Sequence, residues 1–469
     1  MKLKFCLVVL TLLQAHGVSA AVAWPQFRGP NCSGVSESDK PPVVFGPATN
    51  LLWKTAVPPG WSSPCVWNDR IFLTAFENGK LMTVGLRRSD GKKLWEQAAP
   101  AEKIEEINPV SSPASATPAT DGRRVYVYFG SYGLLAYDFA GREQWRKPLP
   151  LVTLSNGSGT SPALIQGRLV INRDQEHGKS SLLAVNPRNG RTVWETPRPD
   201  FASSYATPIL WKHGQDEEIV VAGSVRVVGY GIKDGQERWW TGGLEAVSVC
   251  PTPIIGDGQL FAASRSFGGN NMPPFPQMLA DMDPNGDRKI ARAEGKGLLG
   301  NKAIFDATDT DHDDIVTEQE WNAALAFIAK GDHGIFAVRA PGSGDLTDSH
   351  VVWKQKRGIA TVPSPLFFRG RIYAVQDGGR VTCFEAKTGR ILFEQERLGA
   401  DGEYYASPIC ADGKIYFAST RGTVSVMKAS DTLQVLARND LGERLMATPA
   451  IADHKLYVRT ANHLWAFGK

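Results

Sequence analysis

Eight Ser/Thr-Pro pairs set the rhythm of this chain. Their prolines are Pro64, Pro118, Pro162, Pro208, Pro253, Pro365, Pro408 and Pro449, and neighbours are 41 to 54 residues apart except across one long gap after Pro253. An apolar strand follows each pair, and then a polar turn leads into a second strand rich in β-branched and aromatic residues: "RIFLTAF", "RRVYVYF", "RLVINR", "EIVVAG", "QLFAAS", "RIYAVQ", "KIYFAS" and "KLYVRT". A period of roughly 40–50 residues built from short strands marks a repeated four-stranded unit. The chain is therefore expected to be all-β, with about eight blades.

The later part of each unit carries "GKKLW", "GREQW", "GRTVW", "GQERW" or "GRILF", which puts Trp95, Trp145, Trp194, Trp239 and Phe393 four residues after a glycine. Glycine supplies the positive φ that a tight hairpin turn requires. The aromatic then covers the edge between neighbouring blades. The chain ends at "HLWAFGK", three strands into its last unit, while "NLLWKTAV" near the start is a fourth strand with no unit of its own. If Leu51–Lys54 completes the last blade, the ring closes and no sheet edge stays open. With 42% hydrophobic and 21% charged residues, 47 Gly and 30 Pro, the composition suits one large globular unit of short strands and tight turns.

Together with the opening "WPQFRGPNCSGVS", this repeat resembles the β-propeller of the pyrroloquinoline-quinone (PQQ) repeat superfamily, and especially its exported bacterial members. The resemblance covers nearly all of the chain after its first twenty residues. It implies an eight-bladed ring that takes its ligands on the face where the blade-to-blade links emerge. Members include quinone-dependent alcohol and sugar dehydrogenases, which would bring an adjacent Cys pair, a catalytic Asp and a calcium held against the quinone. Here no two Cys are adjacent, no Cys-x-x-Cys-His haem site exists and no catalytic Asp can be placed, so PQQ is not expected. Another member, the propeller lipoprotein of outer-membrane barrel assembly, implies docking to a protein partner.

The long gap holds "DPNGDRKIARAEGKGLLGNKAIFDATDTDHDDIVTEQEW", which reads as two calcium loops. An EF-hand loop offers oxygens at positions 1, 3 and 5, a carbonyl at 7 and a bidentate Glu at 12. Loop one supplies Asp283, Asn285, Asp287, the carbonyl of Lys289, and Glu294; loop two supplies Asp309, Asp311, Asp313, the carbonyl of Ile315, and Glu320. Position 6, normally glycine, is Arg288 in loop one and Asp314 in loop two. Asp tolerates a left-handed backbone better than Arg, so loop two is expected to bind calcium more tightly. One or two ions are expected. The module, residues 270–333, falls between the second and third strands of blade five, on the face of the blade-to-blade links, and so beside the central mouth.

Residues just before each Ser/Thr-Pro pair should line that mouth: Trp61, Asn156, Tyr205, Glu245, Tyr404, Tyr405 and Arg444. Aromatic walls with an acid and a base suit a sugar, a peptide segment or a flat cofactor. There is no Gly-x-Ser-x-Gly elbow and no His-Glu-x-x-His, and the eight His show no ligand spacing, so no hydrolase is indicated. Residues 1–20, with Lys2, Lys4 and the run "FCLVVLTLL", read as a secretory signal, and the propeller as residues 21–469. Without Lys2 and Lys4 the net charge of +4 falls close to neutral, with no basic run for nucleic acid. Five scattered cysteines remain after Cys6 leaves with the signal, and they read as buried small apolar residues rather than a disulfide framework. No segment is expected to span a membrane. The expectation is an exported, periplasmic or secreted monomer that binds calcium and a protein or carbohydrate ligand, a binding or scaffold protein rather than an enzyme. The alternative is a PQQ-dependent alcohol or sugar dehydrogenase.

Overall fold

The computed structural model describes residues 22–176, 179–265, 272–300, 302–340 and 342–469, so the expected signal, residues 1–20, lies outside the described residues. Eight antiparallel sheets, each with a four-stranded core, follow one another as the blades of a β-propeller. Blade one comprises Cys65–Trp67, Arg70–Glu77, Lys80–Arg87 and Lys93–Ala98. The short apolar segment after Ser/Thr-Pro is the innermost strand and the aromatic-bearing segment the outermost. Second and third strands are buried almost throughout, as in Arg124–Phe129 and Gly133–Asp138, because neighbouring blades cover both their faces. The outermost strand Glu143–Pro148 keeps only Trp145 fully inside.

Blade eight joins Ala450–Ala452, Lys455–Arg459 and His463–Phe467 to the N-terminal strand Leu51–Ala56. That strand pairs antiparallel with His463–Phe467, Lys54 opposite Trp465. The ring is thus closed by the N-terminal strand.

The Ser/Thr of each repeat is more than a strand marker. The backbone N–H of Ser63 donates to Thr117 Oγ1, Thr117 to Ser161 Oγ, Ser161 to Thr207 Oγ1, and so on through Thr252, Ser364 and Ser407 to Thr448 Oγ1, at 2.9–3.2 Å. Seven bonds of one kind therefore belt the channel from blade one to blade eight. The proline that follows each hydroxyl residue fixes φ and brings no N–H that would need a partner at the start of the strand. At the seam between blade eight and blade one, Arg459 bridges instead: its guanidinium donates to Ser62 Oγ (2.6 Å), Ser62 O, Thr74 O and Pro58 O.

The outer tryptophans make the second inter-blade contact. The indole N–H of Trp95 donates to Phe139 O in blade two, that of Trp145 to Pro187 O in blade three, and that of Trp194 to Ile232 O in blade four. Each ring lies on the hairpin glycine of the next blade: a Cβ on Gly141 (φ +82°) would sit 2.6 Å from the Trp95 ring. The glycine thus serves the turn and the neighbouring blade's indole at once. Trp353 and Trp53 do the same in blades five and eight, donating to Ala386 O and Arg88 O. Trp239 departs from the pattern, donating to Glu218 of its own blade.

The segment "WPQFRGPNCSG" seals the face opposite the blade-to-blade links. Ala23–Trp24 pairs with blade one, Gln26 accepts from Leu164 N–H of blade three, Asn31 makes two bonds to the backbone of Leu210 in blade four, and Arg28 donates to Pro365 O of blade six. Val35–Ser36 then runs parallel to the innermost strand of blade seven. Inner strand edges that would otherwise stay open are paired by this segment. All five described cysteines are unpaired, and four of them are buried.

Candidate functional site

A central cavity of about 380 Å³ is walled by residues from all eight blades. Phe27, from the sealing segment, is part of its lining. Trp61, Asn156, Tyr205 and Tyr405 of the expected mouth residues line it, joined by Cys250 and by the Ser/Thr belt apart from Thr207. Arg444 stands at the rim, its guanidinium carbon 5.4 Å from the centre of the Trp61 ring. Glu245 and Tyr404 are not part of this wall, because each is turned into its own loop. The Glu245 carboxylate accepts from Val247 and Ser248 N–H at 2.9 Å, and the Tyr404 hydroxyl donates to Ala400 O. Both are about 95% buried or more.

Three short helices carry the insertion: α1 (Phe275–Met282), α2 (Lys302–Thr308) and α3 (Glu318–Ile328). Its own small core gathers Phe275, Met278, Met282, Ile290, Phe305, Val316 and Trp321. The two loops between the helices have matching geometry. In loop one Asp283 Oδ1 accepts from Gly286 and Asp287 N–H and its Oδ2 from Arg288 N–H; in loop two Asp309 does the same for Asp313 and Asp314. Asp287 and Asp313, at position 5, accept from the N–H of Lys289 and Ile315, at position 7. Glu294 accepts from Ala291 N–H and Glu320 from Thr317 N–H, a capping box at the start of α3. Asn285 Nδ2 donates to Glu294 across loop one. Position 8 of each loop pairs with the other, Ile290 opposite Val316.

These residues fit a divalent cation. Arg288 and Asp314 both hold the left-handed backbone of position 6, at φ +63° and +65°. Carboxylate oxygens of Asp309, Asp311 and Asp313 lie within 4.8 Å of one another. Desolvation raises the pKa of Asp311, and the neighbouring carboxylates Asp313, Glu320 and Asp309 add to it. Such a cluster resists closing until a cation neutralises it.

The module is bolted to the mouth. After α3, Asp332 N–H donates to Leu244 O on the link from blade four to blade five. The Asp332 carboxylate takes Lys354 and Lys356 ammoniums at 2.8 Å each, and against the cost of burial those bonds hold its pKa down at about 2. On the far side, Glu176 in blade three has its pKa raised by burial, and Asp306 of α2 is near enough to add to the rise. The module thus reaches along the rim from blade five to blade three.

Sequence reasoning missed one buried acid on the same face. Glu105, on the link from blade one to blade two, is 5% exposed and its carboxyl oxygens find no hydrogen-bond partner among the described residues at bonding geometry. Burial raises its pKa to about 7, with Ser158 nearby opposing the shift. The folded state then holds the proton more tightly than the unfolded chain, whose carboxyl titrates near 4.5. Its contribution is fully present below that value and is lost as pH rises through 7, on the order of 3 kcal/mol. Glu105→Gln should flatten this fall. Denaturant midpoints from pH 4.5 to 8 that run parallel for the two proteins would refute it.

A quinone cofactor fits the cavity poorly. PQQ carries three carboxylates, whereas the described residues of the cavity wall offer hydroxyls, amides, aromatic rings and one thiol but no Lys, Arg or His. Among the described residues, Cys250 is the cysteine in the wall, and no second Cys joins it there.

Residues 46–177, 88–266 and 343–464 match the sequence profile of the family described as outer membrane protein assembly factor BamB. BamB of Yersinia pestis is 22% identical over 316 residues, 63% of this chain and 70% of that protein. The crystal structure of BamB from Moraxella catarrhalis superposes with a TM-score of 0.55 at 13% identity, covering 89% of this chain and all of that one. A europium-containing methanol dehydrogenase gives a TM-score of 0.60 at 9% identity, covering 96% of this chain and 98% of that one. At such identities the structural likeness speaks for the fold alone. No helix among the described residues is long and apolar enough to cross a membrane.

Proposed function

The chain belongs to the BamB family of PQQ-like propellers, and on that premise we propose that it is an exported, monomeric binding or scaffold protein, with a ligand site at the central mouth and a calcium-ordered module beside it. The observation that carries this reading is the bolt between the end of α3 and the mouth rim, Asp332 to Leu244, Lys354 and Lys356. Ordering the loops therefore bears directly on the shape of the mouth. Calcium, when bound, supplies the positive charge that lets the clustered carboxylates close. The chain's own part is to hold those carboxylates in place through the N–H groups of each loop. The related protein's name, an assembly factor, favours a protein partner, while the aromatic and hydroxyl wall equally suits a sugar.

A native mass spectrum of the mature protein, before and after a chelator, tests the reading. One or two calcium ions lost from a monomer, with no further mass, is the expected result. An added mass matching a quinone, or no calcium at all, would overturn it.

Loop one permits a sharper prediction. Arg288 holds a left-handed backbone, which costs a non-glycine residue about 1–2 kcal/mol. Arg288→Gly should therefore tighten calcium binding at loop one by roughly five- to thirtyfold, with loop two unchanged. Calorimetric titration reads both sites, and an unchanged first site would refute the strain argument.

A further inference from the structure

Three cavities lie end to end on the mouth face. The outermost, about 270 Å³ between blades five and six, is walled by Arg265, His333, Lys356 and Arg357 among others. The next, about 360 Å³, shares Arg265 and Gln376 with it and adds Arg380. Val362 and Tyr405 belong both to this second cavity and to the central one. The three cavities therefore adjoin in a row, a trough from the outer rim to the channel.

Its charge is one-sided. Among the described residues, Asp377 is the one acidic residue in the walls of the two outer cavities, and it already accepts from Tyr404 N–H. Lys356 and Arg357 are partly balanced by Asp332 and Glu394 behind them. Arg265 has no acidic partner among the described residues, and Arg380 meets only the Asp377 carbonyl and the Gln395 side-chain oxygen. Two guanidiniums are left to face a ligand's negative charge.

Gln376 adds a different demand. It is 6% exposed, and its Nε2 donates to Ile359 O at 2.9 Å, which fixes the orientation of the amide. Its Oε1 has no partner among the described residues. A bare anion cannot satisfy an acceptor, whereas a hydroxyl can. Farther in, Tyr405, Trp61 and Tyr205 offer ring faces. The belt hydroxyls accept from backbone N–H groups, which leaves their own hydrogens free to donate.

Building on the mouth-site reading above, we propose that this trough binds an acidic oligosaccharide, its carboxylate or sulfate groups on Arg265 and Arg380 and its sugar rings passing Tyr405 into the channel. An acidic peptide would meet the cations, and its N–H groups could serve Gln376, but it brings no flat CH faces for the aromatic rings.

Binding is measured by calorimetry on the full mature protein in calcium. The probes are an oligogalacturonate hexamer, a heparin-derived hexasaccharide, maltohexaose and hexaglutamate. At least one acidic saccharide should bind, more weakly as salt rises, and the carboxylated or sulfated probe that binds tells the two anion types apart. Arg265→Glu and Arg380→Glu should each weaken it tenfold or more, and Tyr405→Ala should weaken it as well. Arg265 is exposed and Arg380 half-buried, and a melting curve checks each variant's fold. Failure of both acidic saccharides to bind, or indifference to the two reversals, overturns the proposal. Hexaglutamate binding as tightly with the same sensitivities overturns the saccharide assignment. If maltohexaose binds and responds to Tyr405→Ala but not to the reversals, the trough proposal falls and the mouth site stands. If every probe that binds ignores both Tyr405→Ala and Trp61→Ala, the mouth reading itself falls.

Discussion

Arg459→Ala should destabilise the protein by about 3 kcal/mol or more, judged from the buried carbonyls it would leave unpaired. Arg459 is 1% exposed, and its hydrogen bonds run to Pro58, Ser62 and Thr74 of blade one. Burial alone pulls its pKa down, and among the described residues no carboxylate neutralises it. Such a residue is kept by its carbonyl partners, and those partners are kept by it. Removing the side chain strands the carbonyls of Pro58, Ser62 and Thr74 in a site with no room for bulk water and opens a cavity at the seam. The seam is where the ring's two ends meet, so the loss should be felt as easier opening of the whole ring. Arg459→Lys should recover part of the stability, because an ammonium keeps charge and three donors but lacks the planar fork. Denaturant midpoints for the three proteins decide the matter: a loss below about 1 kcal/mol for alanine would mean that the strand pairing of Leu51–Ala56 closes the ring unaided.

Chelation is expected to unfold the inserted module while leaving the propeller intact. The module's core is a handful of side chains around Trp321, far less than an independent domain of its size needs. Its loops add clustered carboxylates that repel one another when no cation is present. Calcium at a hundredfold excess over its Kd stabilises whatever it binds by about 2.7 kcal/mol. That is enough to decide whether so small a unit is folded. Limited proteolysis across residues 272–330 should therefore run at least tenfold faster in chelator, and a melt should show an early step that calcium removes. Asp313→Ala should weaken this calcium dependence by damaging loop two. The blades should melt at the same temperature throughout, since none of their core residues belongs to the module. Cleavage and melting that both ignore the chelator would sink the idea.

The architecture was legible because its determinants are local and repeated. Ser/Thr-Pro recurs in all eight units and the glycine four residues ahead of an aromatic in five of them, so blade number and ring closure follow from counting strands. The paired acidic loops between the short helices were legible for the same reason, since their oxygens lie within twelve consecutive residues. Trp353 escaped because the insertion and the turn after it break the spacing that exposed its counterparts. Glu245 and Tyr404 were placed at the mouth by their position ahead of Ser/Thr-Pro. Local hydrogen bonds then turned their side chains inward.

What the sequence alone determined is the closed eight-bladed ring and the site of its insertion, because periodic strands and an unpaired fourth strand admit one arrangement without open edges. Only the tertiary structure decided that hydroxyls about 41 to 112 residues apart form one belt, that Phe27 joins the channel wall, and that Arg265, Gln376 and Arg380 border one trough. Those groups meet because the ring brings distant segments side by side, and no local pattern records where a chain returns to itself.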